Sequence, residues 1–469
     1  MPRLSTVLRN PWPVQWRGLL VLVLYGAYLP LSGYTAAHFR YDAAQYWELS
    51  LKFTGPGGFS LLAYDEPLRG YLGPLLVLPA RLLCHLTGWS MLTGARVLGA
   101  GWAALLFGVA IPQLWAQVMG RRLSGGRWLV LLGLTFLFWR DYFNFTLSDM
   151  PAFTLLLLGL GCLGRPGRRW AVLAGVLLAG AVNIRPIYLA SAPGWLWLLA
   201  AARLQLGQLA GRAVALAAGM ALVLLPQALI NQRHFQQPTP LVLAGLPGAP
   251  PLFLKQLAWG TRFQRYETSL IPAIPRSLVY ADPGGQAALV RLPSQGFASY
   301  GQYLRFVAGQ PLVAATRYLR HLFNGLDIWY PTPYPMRLHP PGQAALRLLN
   351  YALLGLGLWL AAGAAYKSWG SNGSWRAAAP ARLGVLLALM LPCLLALPTL
   401  MECRFLLPLH LALLTGVAGC WQPVTWWRGT GSLPRRLVVV GLAMGWLWGC
   451  WQLSASTARQ LRPPSEAPE

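Results

Sequence analysis

Negative charge is scarce in this chain of 469 residues: Asp and Glu number 12 against 38 Lys and Arg, and charged residues total only 11%. A soluble domain carries about 25% charged residues, so a string of soluble domains is excluded. Metal-site spacing is missing as well. Of the six cysteines, Cys84, Cys162, Cys393, Cys420 and Cys450 lie in apolar segments and Cys403 sits beside one. None forms a CxxC, which marks them as small buried residues. His38, His85, His234, His321, His339 and His410 lack the spacing of a zinc helix, and interfacial or loop positions are expected for them. There is no internal repeat and no low-complexity tract. The net charge of +26 is scattered as arginines between apolar blocks rather than gathered into a patch. That distribution points to membrane topology and anionic lipid, not to nucleic acid.

What remains is apolar. Hydrophobic residues reach 56%, Trp is abundant at 22, and windows of 15 to 23 residues carry no charge. Arg3, Arg9 and Arg17 precede a long apolar block without a small-residue cleavage site, so an uncleaved first helix is expected. Eleven candidate spans follow: 18–37, 97–119, 128–139, 150–164, 170–184, 187–202, 213–230, 344–365, 383–400, 405–421 and 437–453. With the N-terminus inside, the inner connections carry Arg121, Arg122, Arg127, Arg165, Arg168, Arg169, Arg203, Arg212, Lys367, Arg376, Arg382, Arg428, Arg435 and Arg436, and no acid. Short cytoplasmic loops rich in Lys and Arg are what insertion favours. All twelve acids then fall on the outer side. This register requires that 71–86, which contains Pro74, Pro79, Arg81 and His85, lie on the outer leaflet rather than cross it.

The expected fold is therefore an all-α polytopic membrane protein with about eleven transmembrane helices, outer-face juxtamembrane helices and a large outer loop. Its modules are 1–230, with a first outer loop at 38–96; an outer region at 231–343, amphipathic over Tyr300 to Leu322; and a second transmembrane module at 344–469. Several spans are short, since 15 residues of helix cover only about 22 Å of a roughly 30 Å hydrocarbon core.

Two readings attach to each candidate group. Asp42, hedged by Tyr41, Tyr46 and Trp47 after the first span, is either a general base in a partly dry cleft or a solvated helix end among anchoring aromatics. Arg140 and Asp141 either neutralise each other or face a cavity. Arg185, before Pro186, either snorkels or meets a phosphate. Glu402 and Arg404 form either a surface ion pair or part of a site. Asp65 and Glu66 either bind acceptor or metal, or belong to a solvated loop.

Taken in order along the chain, these residues resemble a family. Asp42 and Tyr46 follow the first span, and Asp65-Glu66-Pro67-Leu68 leads into a Pro-bearing apolar helix. Arg96 opens the second span. Thr146-Leu147-Ser148-Asp149-Met150-Pro151-Ala152 is similar to the family's "lTDapa" element. Pro226, Asn231 and Pro238 resemble a "P…N…G.P" run, with Gln236 where the family has Gly. Glu402-Cys403-Arg404-Phe405-Leu406-Leu407-Pro408 resembles a late "E.RYllP" element. The family is the GT-C class of polytopic glycosyltransferases, in its protein O-mannosyltransferase and aminoarabinose-transferase branch. The match covers roughly the first 240 residues and this late segment.

The resemblance implies a GT-C-like fold with Asp42 as catalytic base in the first outer loop, juxtamembrane helices in that loop, and Asp149 as the second acid in the next. It implies a donor of polyprenyl-phosphate-linked sugar, with Arg69, Arg140, Arg185 and Arg404 as candidate partners of the donor phosphate. The acceptor is a protein, lipid or glycan. No cofactor is required; a divalent cation shared by Asp42 and Asp149 stays open, since relatives divide between metal-using and metal-free members. The expected activity is inverting sugar transfer at the outer face of a multi-pass protein of the bacterial inner membrane. The alternatives are a polyprenyl-linked glycan polymerase or ligase, and a transporter or flippase. The last would need ionisable groups deep in the bundle and related halves.

Overall fold

The apolar blocks become helices whose ends follow Pro and Gly. The computed structural model describes all residues except 1–7, 56, 202–204, 246–249, 273–276, 291–295, 371–373, 423–431 and 463–469, and only the backbone of 364–370 and 374–378. Arg3, Arg203, Arg428, Glu466 and Glu469 lie outside the described residues. By internal packing the chain divides into two units. The first comprises Met1–Gly126, Trp139–Pro251 and Gly373–Pro392, and the second Arg127–Phe138, Leu252–Asn372 and Cys393–Glu469.

In the first unit, α1 (Val14–Leu31) stops before the expected Ala37 because the chain turns at Gly33, whose φ is 80°. A short helix, α2 (Tyr41–Leu49), follows, then a two-stranded hairpin of β1 (Thr54–Gly55) and β2 (Gly58–Phe59). The block around 71–86 forms α3 (Leu72–Thr87). Next, α4 (Met91–Met119) widens into a π-helical turn over Ala104–Ala110, just before Pro112. Proline lacks the N–H that a regular turn needs, and a wider turn accommodates the gap. The chain then runs through α5 (Gly125–Trp139), of which Arg127–Phe138 belongs to the second unit, and returns to the first with α6 (Asp149–Leu163), buried along nearly its whole length. In α7 (Arg168–Ile184) the end is set by Arg185-Pro186, because the residue before proline avoids the α region; Arg185 is extended. The expected span 187–202 is a 3₁₀ turn, Pro186–Ser191, followed by only α8 (Ala192–Ala200), with Pro193 in its first turn. Finally, α9 (Leu206–Phe235) ends at Gln236, which takes a left-handed φ of 57°.

The α7 and α9 backbones touch through two glycines. A Cβ added at Gly175 would stand 2.1 Å from Leu216 O, and one at Gly219 would stand 2.0 Å from Val172 O. Small residues permit this approach where lipid offers no hydrophobic drive between helices.

The second unit contains α10 (Leu252–Arg262), β3 (Phe263–Thr268), β4 (Ser277–Ala281), α11 (Pro283–Val290), α12 (Tyr300–Ala308), α13 (Pro311–Leu326), α14 (Gln343–Gly370), α15 (Ser374–Ala396, which begins in the first unit), α16 (Leu407–Cys420), α17 (Leu433–Ala458) and β5 (Leu461–Arg462). Helices dominate, as expected of an all-α membrane protein, and the described residues of this unit add one small sheet to them. Aromatic and β-branched residues in Phe-Gln-Arg-Tyr-Glu-Thr and Ser-Leu-Val-Tyr-Ala pair as an antiparallel sheet, β3-β4-β5, with Tyr266 opposite Val279 and Val279 opposite Arg462. The amphipathic stretch from Tyr300 is broken into α12 and α13 between Gly309 and Pro311.

Among the described residues, seven helices are long and apolar enough to cross a membrane: Val14–Leu31, Met91–Met119, Leu206–Phe235, Gln343–Gly363, Ala379–Ala396, Cys403–Cys420 and Leu433–Ala458. The other expected spans are shorter, with 15 residues in α5, 15 in α6, 17 in α7 and 9 in α8.

Two substitutions test the α7–α9 region in opposite directions. Gly219→Leu should overpack the contact at a cost of about 1–3 kcal/mol. Gln236→Gly relieves a left-handed side-chain residue and should stabilise by about 1 kcal/mol. Thermal midpoints of the detergent-solubilised protein should fall and rise respectively; a neutral Gly219→Leu would refute the close approach.

Candidate active site

Asp42 stands in the first turn of α2, where the amide dipoles favour an anion. The preceding Tyr41 takes a φ of 57°. That conformation costs a residue with a Cβ about 1–2 kcal/mol, and it persists where surrounding contacts over-determine it. Two such contacts hold α2. Thr146 Oγ1 donates to Ala43 O at 2.6 Å, and Arg81 donates to Trp47 O at 2.8 Å. The Asp42 carboxylate receives Arg69 Nη2 at 3.0 Å. The same guanidinium reaches Gln45 Oε1 at 3.1 Å and Tyr46 Oη at 3.2 Å, and it lies over the Tyr46 ring. Asp42 and Arg69 keep about a third of their side-chain surface exposed, at 33% and 29%. A reacting group can reach them.

Asp149 begins α6 and is almost completely buried, with its carboxylate paired to Arg185 Nη1. Arg185 is delivered there by the extended bend that Pro186 imposes at the end of α7. The two predicted acids are therefore each matched with a predicted phosphate arginine, Asp42 with Arg69 and Asp149 with Arg185. Their supports border one narrow cleft of about 30 Å³, lined by Tyr46 of α2, by Thr146, Ser148 and Pro151 around Asp149, and by Ile184 beside Arg185.

A buried amide chain fixes the approach of Arg69. Asn183 Oδ1 accepts Leu72 N at 2.9 Å and so caps α3; Asn183 donates to Gln227 at 2.9 Å, and Gln227 to Asn231 at 2.9 Å. Asn231 then donates to Thr239 O and Leu241 O. Gly70, next to Arg69, lies so close to Asn183 O that an added Cβ would stand at 1.9 Å. The sequence reading named Asn231 but missed Gly70, Asn183 and Gln227. The available signal was amide side chains inside apolar helices, which seldom occur without a partner.

The remaining candidates fall elsewhere. Arg140 donates to Tyr28 Oη at 2.9 Å and stands 3.9 Å from Asp141, while Tyr28 donates to Asp141 Oδ1 at 2.8 Å. Arg96 bridges Asn144 and Tyr34 O. This cluster staples the end of α1 to the 140–144 turn. Burial pushes the Asp141 carboxyl up to about 6, against the opposing pull of Tyr28 and Arg140. Asp65 and Glu66 both answer Lys52, at 2.5 and 3.7 Å, and Glu66 also accepts Leu68 N. The two acids are occupied by one shared lysine.

Glu402 and Arg404 belong to the second unit, where Arg404 grips Glu402 through Nε at 2.6 Å and Nη2 at 3.1 Å. That unit also holds a charged core the sequence did not announce. Arg265 is buried over Trp329, 4.1 Å from the ring centre, and binds Glu267 at 2.7 Å. Asp327, 3.8 Å from Arg265, accepts from Trp329 Nε1 at 2.6 Å, from Tyr351 at 2.9 Å and from Ser454. Burial pushes the Glu267 carboxyl up, Arg265 opposes this, and Glu402 adds to it. Two histidines expected at interfaces or in loops are instead buried. His321 contacts Leu397 O, and His410 Nε2 meets Asn350 Oδ1 at 2.9 Å.

The residues present do not suit a divalent cation. Asp42 and Asp149 each face a guanidinium, and among the described residues no three His, Cys, Asp or Glu side chains gather into a metal-binding group.

The Asp141 carboxyl generates a pH test. Its folded value near 6 exceeds its ordinary 3.8, so folding takes up a proton between those values and stability rises as pH falls through 6. The thermal midpoint of the parent should exceed that of Asp141→Asn by more at pH 5 than at pH 7.5. A difference independent of pH would remove the buried-acid assignment.

No protein-family model matches the chain, and no curated protein matches it either.

Proposed function

We propose that the protein is a membrane glycosyltransferase that moves one sugar, with inversion, from a polyprenyl-phosphate donor to an acceptor hydroxyl at the membrane face carrying Asp42. The observation that supports this most is the arrangement of two carboxylate–guanidinium pairs on elements that border one cleft. One pair is half-open and the other sealed.

Asp42 takes the proton of the acceptor hydroxyl. The freed oxygen attacks the anomeric carbon from the side opposite the phosphate, the carbon–oxygen bond to phosphate breaks, and the electron pair leaves on the polyprenyl phosphate. A phosphate is a good leaving group, so nearby positive charge replaces protonation. Arg69 carries that charge: its fork already meets Asp42, Gln45 and Tyr46, and it is open enough to meet a phosphate oxygen as well. Asp149 positions Arg185 rather than taking a proton itself, because it is buried against that guanidinium. Arg140 and Asp141 tie α1 to its neighbour, and the mechanism needs neither Arg404 nor Glu402.

Asp42→Asn should lower sugar transfer from a lipid-phosphate donor by about 10²–10⁴-fold while leaving membrane insertion and thermal midpoint near the parent. Arg69→Lys should also lose activity, since a point charge cannot reproduce the fork. Asp65→Asn should remain within about twofold of the parent, as an exposed loop pair contributes little. Undiminished transfer by Asp42→Asn would end the proposal; loss in Arg69→Lys alone would favour a diphosphate-linked polymerase or ligase.

A further inference from the structure

At the opposite end of α1 from Asp141 lies a second cavity, of about 340 Å³, which the proposed transfer reaction does not use. Its walls are Pro11 to Val14 at the start of α1, Pro112 to Gln117 in α4, and three arginines from three segments, Arg17, Arg122 and Arg165. No Asp or Glu lines it, and none of the three arginines is in an ion pair among the described residues.

Arg17 is the informative member. It is 92% buried, being 8% exposed, and its Nε has no hydrogen-bond partner. A buried guanidinium N–H left unmatched is costly, and the natural remedy is an acceptor that arrives from outside. Arg165 is half-buried and held in place: it stacks on Trp170, 4.3 Å from the ring centre, and donates to Gln113 Oε1 at 3.3 Å. Arg122 stands exposed at the rim. Gln117 is spent on Gly161 O at 2.7 Å. Three cations without a counter-ion repel one another, so an empty cavity of this composition is electrostatically incomplete.

We propose that this cavity binds a phosphate ester, with Arg17 and Arg165 gripping its oxygens and Arg122 closing the rim. Guanidinium forks match phosphate geometry, and the walls carry no carboxylate to compete for them. The adjoining surface of α1 favours a lipid headgroup as the source. Val14, Trp16, Leu19 and Leu20 are exposed there, an apolar strip along which acyl chains can lie. The site is thus a lipid anchor point on the arginine-rich face, separate from the cleft of Asp42.

The test uses full-length protein purified in a neutral detergent. Retention of phosphatidylglycerol and of phosphatidylcholine is measured by native mass spectrometry, and the thermal midpoint is followed with inorganic phosphate. Phosphatidylglycerol should be retained in preference to phosphatidylcholine. The Arg122→Gln, Arg165→Gln double variant, which alters an exposed and a half-buried residue, should weaken that retention about tenfold or more. Arg17→Gln should do the same, and if it fails to fold the double variant decides. Protection by inorganic phosphate, lost in the double variant, would support the site and identify a free anion as the source. Equal retention of both lipids with no response to phosphate, or retention unchanged in the double variant, would overturn the proposal. Sugar transfer is not read in any arm, so failure here leaves the Asp42 mechanism standing.

Discussion

A carboxylate drawn out of water needs a cation within reach, and this chain, with 38 Lys and Arg against 12 Asp and Glu, rarely lacks one. Asp42 has Arg69, Asp149 has Arg185, Asp141 has Arg140, Glu267 and Asp327 share Arg265, Asp282 has Arg317, and Glu402 has Arg404. Apart from Arg265–Glu267, which lies within β3, each pair joins segments that the sequence separates or fixes a turn between helices. The Arg185–Asp149 pair closes the bend after α7 onto the start of α6. Arg69–Asp42 closes the α3 approach onto α2. Arginine can serve all these places because it stays charged when buried and its fork meets several acceptors at once.

Against that background the two halves of the candidate site differ in kind. The Asp149–Arg185 pair is sealed, and its value lies in rigidity: it fixes the bend after α7 against the start of α6. The Asp42–Arg69 pair is partly open, and Asp42 can exchange partners when substrate arrives. In the proposed reaction, a base that begins the cycle salt-bridged to the group meant for the leaving phosphate would be released as that phosphate binds, so that substrate arrival and base activation would be one event.

Much of this was readable from residue order. Pro186 after Arg185 foretold the end of a helix, and the Thr146–Ala152 segment foretold an acid at a helix start. Gln236 in place of Gly marks a left-handed position that the resemblance had singled out and that this chain fills with a side chain. Other features were hidden. Arg265, Glu267 and Asp327 are acids and bases in a polar stretch, and nothing local distinguishes them from solvated loop residues; only the pairing of β3 with β4 and the return of α13 bury them. The sheet was missed because short strands inside a Pro- and Gly-rich region carry little periodic signal. Spans near 15 residues were visible as blocks, yet whether such a helix is wrapped by protein or lipid depends on neighbours, as the burial of α6 illustrates.

The twisted backbone at Tyr41 bears on how the proposed transfer site could diversify. Because the first turn of α2 is wedged between that residue and the Thr146 tether, Asp42 has no freedom to slide along its helix or to be re-aimed by small insertions upstream. Under the proposed reaction, new acceptors would have to be accommodated by reshaping the opposite wall, with the corner at Asp42 as a fixed pivot. Laboratory evolution that tests that reading should accordingly be directed away from residues 38–46 and toward the surfaces that face them.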